Sequence, residues 1–405
     1  MPRTLIAICY LGWMFDFYDL ALFSFLLVPV AATFHLSGSQ EAWLLGTGLG
    51  ASGVGGILFG WCADRFGRRS VMVWTILTFS LGTALSAFAP NAEIFLLLRI
   101  LTGLGIGGEW AIGHALVAES VPPDKRGRAA AWLQSGEPVG VALAAIVGLL
   151  LTPYIGWRAV MLGSGCTAFL AFLVRRHVPE SPLWEQERGS RAIRQNESLH
   201  WLASGEGLSL MVRAFILALF KLGTYWTCYV WLPKFFLTEF HEPIGRSAMW
   251  ILTAQLGQFS GMMVFGKFSD RFGRRQAYTL YSAITAIALY LLAFHWSGLL
   301  EDKPLFWITM FLLGIGSGCT AGFGALLAEL FPTEVRNFAM GTTYNLARGM
   351  QIFGPVLVAA FATRWHVAGA LSVPLTLAVL TGIWVWTLPE TRTRDLAHVL
   401  VKPST

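Results

Sequence analysis

Twelve stretches of this chain, roughly 4–31, 42–63, 71–89, 94–119, 128–151, 157–175, 209–237, 247–268, 276–295, 303–331, 336–363 and 367–388, are predominantly apolar. Each is close to the ~20 residues a helix needs to cross a bilayer. The charged residues gather in the short segments between them. In lipid a segment must satisfy its own backbone hydrogen bonds, which an α-helix does and a lone strand does not. The pattern predicts an all-α membrane protein with twelve transmembrane helices. Composition agrees, with 55% hydrophobic and only 13% charged residues, where soluble domains carry about 25% charged.

The net charge of +6 would suggest nucleic-acid binding in a soluble protein. Here it follows from topology, because Lys and Arg collect in cytoplasmic loops. Arg65, Arg68, Arg69, Lys125, Arg126, Arg175, Arg176, Arg271, Arg274, Arg275 and Arg336 fall on one side. Arg158, Lys234, Arg246, Lys303 and Arg364 fall on the other. That asymmetry puts both termini in the cytoplasm of a multi-pass protein of a cell or bacterial inner membrane. The five cysteines have no metal-ligand spacing, and no ATP-binding loop or catalytic constellation stands out. No metal, cofactor, nucleic acid or enzymatic activity is expected.

The segment Gly60-Trp-Cys-Ala-Asp64-Arg65-Phe66-Gly67-Arg68-Arg69 returns 206 residues later as Gly266-Lys-Phe-Ser-Asp270-Arg271-Phe272-Gly273-Arg274-Arg275. A second pair, Glu119-Ser-Val-Pro122-Pro-Asp-Lys-Arg126 and Glu329-Leu-Phe-Pro332-Thr-Glu-Val-Arg336, repeats at an offset of 210. Two independent repeats at nearly one offset point to a duplicated unit. The division expected is a six-helix bundle at 1–176, a cytoplasmic linker at 177–208 and a second six-helix bundle at 209–405.

These motifs resemble the major facilitator superfamily. The paired loops resemble its signatures between helices two and three and between helices eight and nine. Pro179-Glu-Ser-Pro182-Leu-Trp184 and Pro389-Glu-Thr-Arg392 resemble the signatures after helices six and twelve. Gly12-Trp-Met-Phe-Asp16-Phe-Tyr18-Asp19 and Gly103-Leu-Gly-Ile-Gly-Gly108-Glu109-Trp110 are similar to the metabolite–proton symporters, especially the sialate and lactate (monocarboxylate) group. Helix seven, Lys221-Leu-Gly-Thr-Tyr225-Trp226-Thr-Cys-Tyr229, lacks the Asn…Ser-His…Gln-Asp pattern of the fungal lactate permeases. The resemblance implies the major facilitator fold, two pseudo-symmetric six-helix bundles in a chain that works as a monomer. It also implies a latch at the cytoplasmic side. The latch residues would be Gly60, Asp64, Arg65, Arg68, Arg69, Asp270, Arg271, Arg274, Arg275, Glu119, Arg126, Glu329 and Arg336.

Ionisable residues inside the spans point to the site. A charge at the bilayer centre costs about 2.5–3.5 kcal/mol on insertion scales and is usually functional. Asp16, Asp19, Glu109 and Glu137 are expected to couple a proton. Asp16 and Asp19, three apart, share a helix face, and close carboxylates resist joint ionisation. Arg348 and Lys221 lie deep in spans eleven and seven. An arginine fork suits a carboxylate, so these two, with Tyr225, Trp226, Asn345 and Gln351, are expected to bind substrate. The function expected is alternating-access symport of a proton with a small organic anion, a monocarboxylate such as lactate. A porter of a neutral sugar or other metabolite and a transporter-like sensor are the alternatives.

Overall fold

The computed structural model describes residues 2–186, 191–238, 244–394 and 396, which are helical with short connections and contain no strand. The first half runs α1 (Pro2–Phe34), α2 (Gly38–Phe66), α3 (Arg68–Ser86), α4 (Ala92–Ser120), α5 (Arg126–Gln134), α6 (Gly136–Ile146), α7 (Thr152–Ser164) and α8 (Phe169–His177). Two short helices follow, α9 (Pro182–Gln186) and α10 (Arg191–Ala203). The second half runs α11 (Gly205–Thr238), α12 (Ile244–Phe272), α13 (Arg274–Phe294), α14 (Trp296–Glu301), α15 (Lys303–Ser317), α16 (Phe323–Leu330), α17 (Arg336–Met340), α18 (Leu346–Gly349) and α19 (Gly354–Trp384). These helices build the twelve spans in two six-helix bundles. The side chains of Lys234, Arg246 and Arg364, used above to orient the chain, lie outside the described residues.

Among the described residues, seven helical stretches are long and apolar enough to cross a membrane unaided. Others are diluted by glycine, as in α2, or broken, as in the fifth and eleventh spans. The fifth breaks between α5 and α6, where Pro138 has no N–H for the carbonyl of Gln134. The expected connection at 364–366 between the last two spans instead lies inside α19. The run Phe361–Ala368 contains neither Gly nor Pro, so nothing local stops the helix.

The loop repeats become tight elbows. Gly67 and Gly273 join α2 to α3 and α12 to α13 with φ of 101° and 111°, a conformation a side chain resists. A Cβ at Gly67 would also stand 2.4 Å from a Glu180 carboxylate oxygen, and one at Gly273 would stand 2.8 Å from Glu390. Those glutamates explain the crowding. Glu180 accepts the N–H groups of Arg68 and Arg69, and Glu390 accepts those of Arg274 and Arg275. Each caps the start of a helix whose first N–H groups lack intrahelical partners.

The halves touch along two helix crossings, α2 against α17 and α18, and α12 against α5. Glycine makes the first crossing close. A Cβ at Gly56 would meet the Asn345 side chain at 2.6 Å, and one at Gly60 would meet the Asn337 carbonyl at 2.5 Å.

Candidate functional site

At the end of the molecule that carries the repeated loops, both acids of the motif reach the opposite half. Asp64 is buried and accepts the N–H groups of Asn337 and Phe338 at 3.2 and 2.8 Å and the Asn337 amide at 2.9 Å. It thereby caps α17, and Arg68 of its own half lies 3.6 Å away. Asp270 mirrors this by accepting the N–H groups of Gly127 and Arg128 at 2.8 and 3.0 Å, with Arg274 at 2.8 Å.

The second repeat joins the same network. Glu119 lies between Arg68, at 3.3 Å, and Arg336 of the other half. Arg68 also donates across the seam to the Thr333 carbonyl at 2.7 Å. Glu329 accepts two guanidinium N–H groups of Arg274 at 2.7 and 3.1 Å. Arg126 and Arg336 each turn Nε back to a carbonyl eight residues earlier, on Ala118 and Ala328. Arg65, Arg69, Arg271 and Arg275 lie off the seam. Arg65 sits over Trp61 and Arg271 over Phe272, while Arg69 and Arg275 donate to the carbonyls of Arg175 and Leu388. Glu180 and Glu390 belong to the network's caps, and their Pro-Glu repeats were the signal available for them. Partial burial opposes the charge on Glu390, but four backbone N–H donors outweigh it and hold its pKa below the usual range.

The second cluster lies at the centre. Arg348 stands on α18 between a π-helical turn (Gly341–Asn345) and a 3-10 turn (Met350–Phe353). Irregular backbone at membrane depth is tolerated where it lines a cavity. The guanidinium is buried, and none of its three nitrogens has a hydrogen-bond partner among the described residues. It lies 6.0 Å from the Trp13 ring centroid. Asp16, also buried, has neither carboxylate oxygen partnered among the described residues, and the same holds for the Trp13 Nε1. Trp13, Asp16 and Phe17 share a face of α1. Lys221 is buried on α11 within electrostatic reach of Glu137 and Cys319, and its Nζ has no oxygen or nitrogen hydrogen-bond partner among the described residues.

A cavity between the halves is lined by Phe17, Glu137, Leu222, Tyr225, Trp226, Thr320, Tyr344 and Arg348. It holds about 10 Å³ of water-accessible space, enough for roughly one water. Of the expected substrate residues, Arg348, Tyr225 and Trp226 line it. Asn345 and Gln351 have their amides engaged elsewhere, Asn345 on the Gly107 carbonyl at 2.7 Å and Gln351 on the Ala347 carbonyl at 2.8 Å.

The four acids divide. Asp16 and Glu137 are central. Glu137 accepts Gln134 Nε2 at 2.9 Å and, across the seam, Gln258 Nε2 at 3.1 Å. Asp19 instead pairs with Arg99 at 3.1 Å and accepts from Thr83, within the first half. Glu109 accepts from Thr75 at 3.0 Å and packs on Gly12, where a Cβ would fall 2.2 Å from its oxygen.

Several neutral residues of this centre escaped a search for buried charge. The Gln134 side-chain oxygen accepts from Trp110 Nε1 and His114 Nε2, both at 3.1 Å. Trp110 stacks on Tyr344 of the other half with centroids 3.7 Å apart and 8° between planes. Gln134 stands three residues before Glu137, a spacing that could have flagged it.

Two helical bundles closing around a buried charged centre have the form of a membrane transporter. The sequence profile of the Major Facilitator Superfamily matches residues 9–254 and 244–402, and the chain belongs to that superfamily. It is 33% identical over 391 residues to a probable 4-methylmuconolactone transporter of Cupriavidus pinatubonensis, covering 95% of this chain and 90% of that one. It is 31% identical over 372 residues to a putative niacin/nicotinamide transporter of Bacillus subtilis, covering 89% of each. The proton:xylose symporter XylE has a similar fold, with a TM-score of 0.80, 20% identity and 98% of each chain covered. The chain is a metabolite transporter of this superfamily.

Proposed function

We propose that this chain is a proton-coupled symporter of a small organic anion, a monocarboxylate, working by alternating access. The observation that carries the reading is the buried Arg348 guanidinium, which has no hydrogen-bond partner among the described residues. An unpaired charge inside a membrane protein is expensive, and a substrate carboxylate would supply the missing acceptors as a two-pronged pair. Lys221 would add a second positive charge. Trp13, Phe17, Tyr225, Trp226 and Tyr344 surround that point with aromatic surface, which suits a flat, unsaturated acid better than lactate. The names of the two relatives, for a muconolactone and for niacin or nicotinamide, support the flat, unsaturated part of this reading. A neutral sugar would leave Arg348 without a counter-charge.

Asp16 is the acid we assign first to the proton, because it lies within electrostatic reach of Glu109 and Arg348 and has no hydrogen-bond donor among the described residues. Protonation of Asp16 would remove its pull on the guanidinium and free Arg348 for the anion. Glu109 and Glu137 would complete the relay, while Asp19 holds Arg99. The halves, 1–176 and 209–405 joined by 177–208, would then rock as units. Both termini would face the cytoplasm of a bacterial inner membrane, and a single chain would suffice.

Uptake into liposomes under an imposed proton gradient tests this. Nicotinate, lactate and xylose would be offered in turn. Gradient-driven accumulation of a planar acid, lost in Arg348→Gln, is expected. Xylose accumulation with no response to any acid would overturn the reading.

A further inference from the structure

On the outer flank of the first bundle, a cleft of about 320 Å³ is lined by Arg69, Ser70, Val73 and Trp74 of α3 and Arg175 of α8. The Arg69 guanidinium donates to the Arg175 carbonyl, which brings two cationic side chains to one cleft. Among the described residues no carboxylate lies within 4 Å of either guanidinium. Glu180, the acid near them in the fold, is committed to the N–H groups of Arg68 and Arg69. Among the described residues nothing balances the pair.

The walls are graded. On α3, Ser70 and Trp74 are one turn apart, and on α8 so are Phe172 and Arg175. Trp74, Phe172 and Phe169 are 44%, 53% and 62% exposed, in the apolar flank that faces lipid tails. The cleft is therefore basic at the loop end and aromatic toward the membrane interior, with tryptophan at the depth where headgroups meet tails. The other half supplies a comparison. Arg275 is the motif counterpart of Arg69, yet the Trp386 ring lies over it at 5.7 Å and Trp386 Nε1 donates to Thr279 at 2.9 Å. There a tryptophan of the protein takes the cation, although Arg275, like Arg69, stays partly exposed. The first half has Arg176 at the position 210 residues before Trp386, and Arg69 opens onto the cleft instead.

We propose that this cleft binds the headgroup of an anionic phospholipid. Arg69 and Arg175 take the phosphate oxygens and Ser70 donates to a third, while an acyl chain follows Trp74 and Phe172. The site is separate from the central cavity and does not depend on the transported substrate.

Native mass spectrometry of the full chain, delipidated and then titrated with phosphatidylglycerol or phosphatidylcholine, tests this. The wild type should retain phosphatidylglycerol at least ~10-fold better than phosphatidylcholine, and Arg69→Gln/Arg175→Gln should lose that preference. Ser70→Trp keeps both charges but fills the cleft, as Trp386 does in the other half, and should also lose it. Equal retention of both lipids by the wild type would overturn the proposal, as would undiminished preference in Ser70→Trp. Displacement of phosphatidylglycerol by millimolar inorganic phosphate would assign the site to a free anion and would overturn the lipid.

Discussion

Asp64→Asn keeps the shape of a side chain and removes its charge at the most crowded point of the seam. The carboxylate accepts three N–H donors from the second half at 2.8–3.2 Å and faces Arg68 at 3.6 Å. An amide has one oxygen for these donors, and its NH₂ must face the remaining N–H. If the oxygen stays on Asn337, the N–H of Phe338 loses its acceptor. Hydrogen bonds to a charged group contribute about 1.5–3 kcal/mol each, against about 1 for neutral ones. Losing one and weakening two destabilises the closed loop end by at least about 2.5 kcal/mol, a factor of ~70 or more in the open–closed equilibrium. Spin labels on Lys125 and Thr393, exposed on opposite halves, would report it as a longer and broader distance distribution. Turnover in liposomes should fall at least ~10-fold while substrate affinity changes by less than ~3-fold. Unchanged distances with wild-type turnover would show that the cross-seam cap does not hold the end shut.

Arg348→Lys keeps the charge and loses the fork, so the KM for a carboxylate substrate should rise about 10–100-fold, measured as initial uptake against concentration. Asp16→Asn should abolish gradient-driven accumulation but leave counterflow exchange at more than ~10% of wild type, since exchange needs no net proton movement. Gly67→Ala forces a side chain into a glycine-only conformation and against Glu180, at a cost of about 1–3 kcal/mol, and should lower the melting temperature in detergent by several degrees. Glu390 has its folded-state pKa below its unfolded value. Its stabilisation is therefore complete above the unfolded pKa and is lost as pH falls through the folded one. Glu390→Gln should therefore lower stability at neutral pH, converge with the wild type in acid and flatten the acid side of the stability profile.

The sequence carried the architecture because apolar run length and repeated motifs are local features. Asp64, Arg68 and Glu119 could be named in advance, since their motifs recur at one offset. That Asp64 caps a helix of the other half could not, because Asn337 is 273 residues away and no local pattern links them. Buried charge flagged Arg348 and Asp16 but equally flagged Asp19, whose partner Arg99 lies three spans on. Asn345 and Gln351 looked like ligand donors from proximity in sequence, whereas backbone carbonyls take their amides. Gln134 and Tyr344 carry no charge, so the rule that found the others passed over them.

The crossing of α2 on the second half leaves backbone against backbone at Gly60 and seats the Asn345 side chain directly on Gly56. A surface without side-chain knobs has few notches to climb out of, so the bundles can roll over each other there with little friction. The same smoothness makes the crossing intolerant of bulk: a single methyl at either glycine would act as a wedge. Substitution at these two positions is thus a direct means of arresting the protein with its loop end propped open.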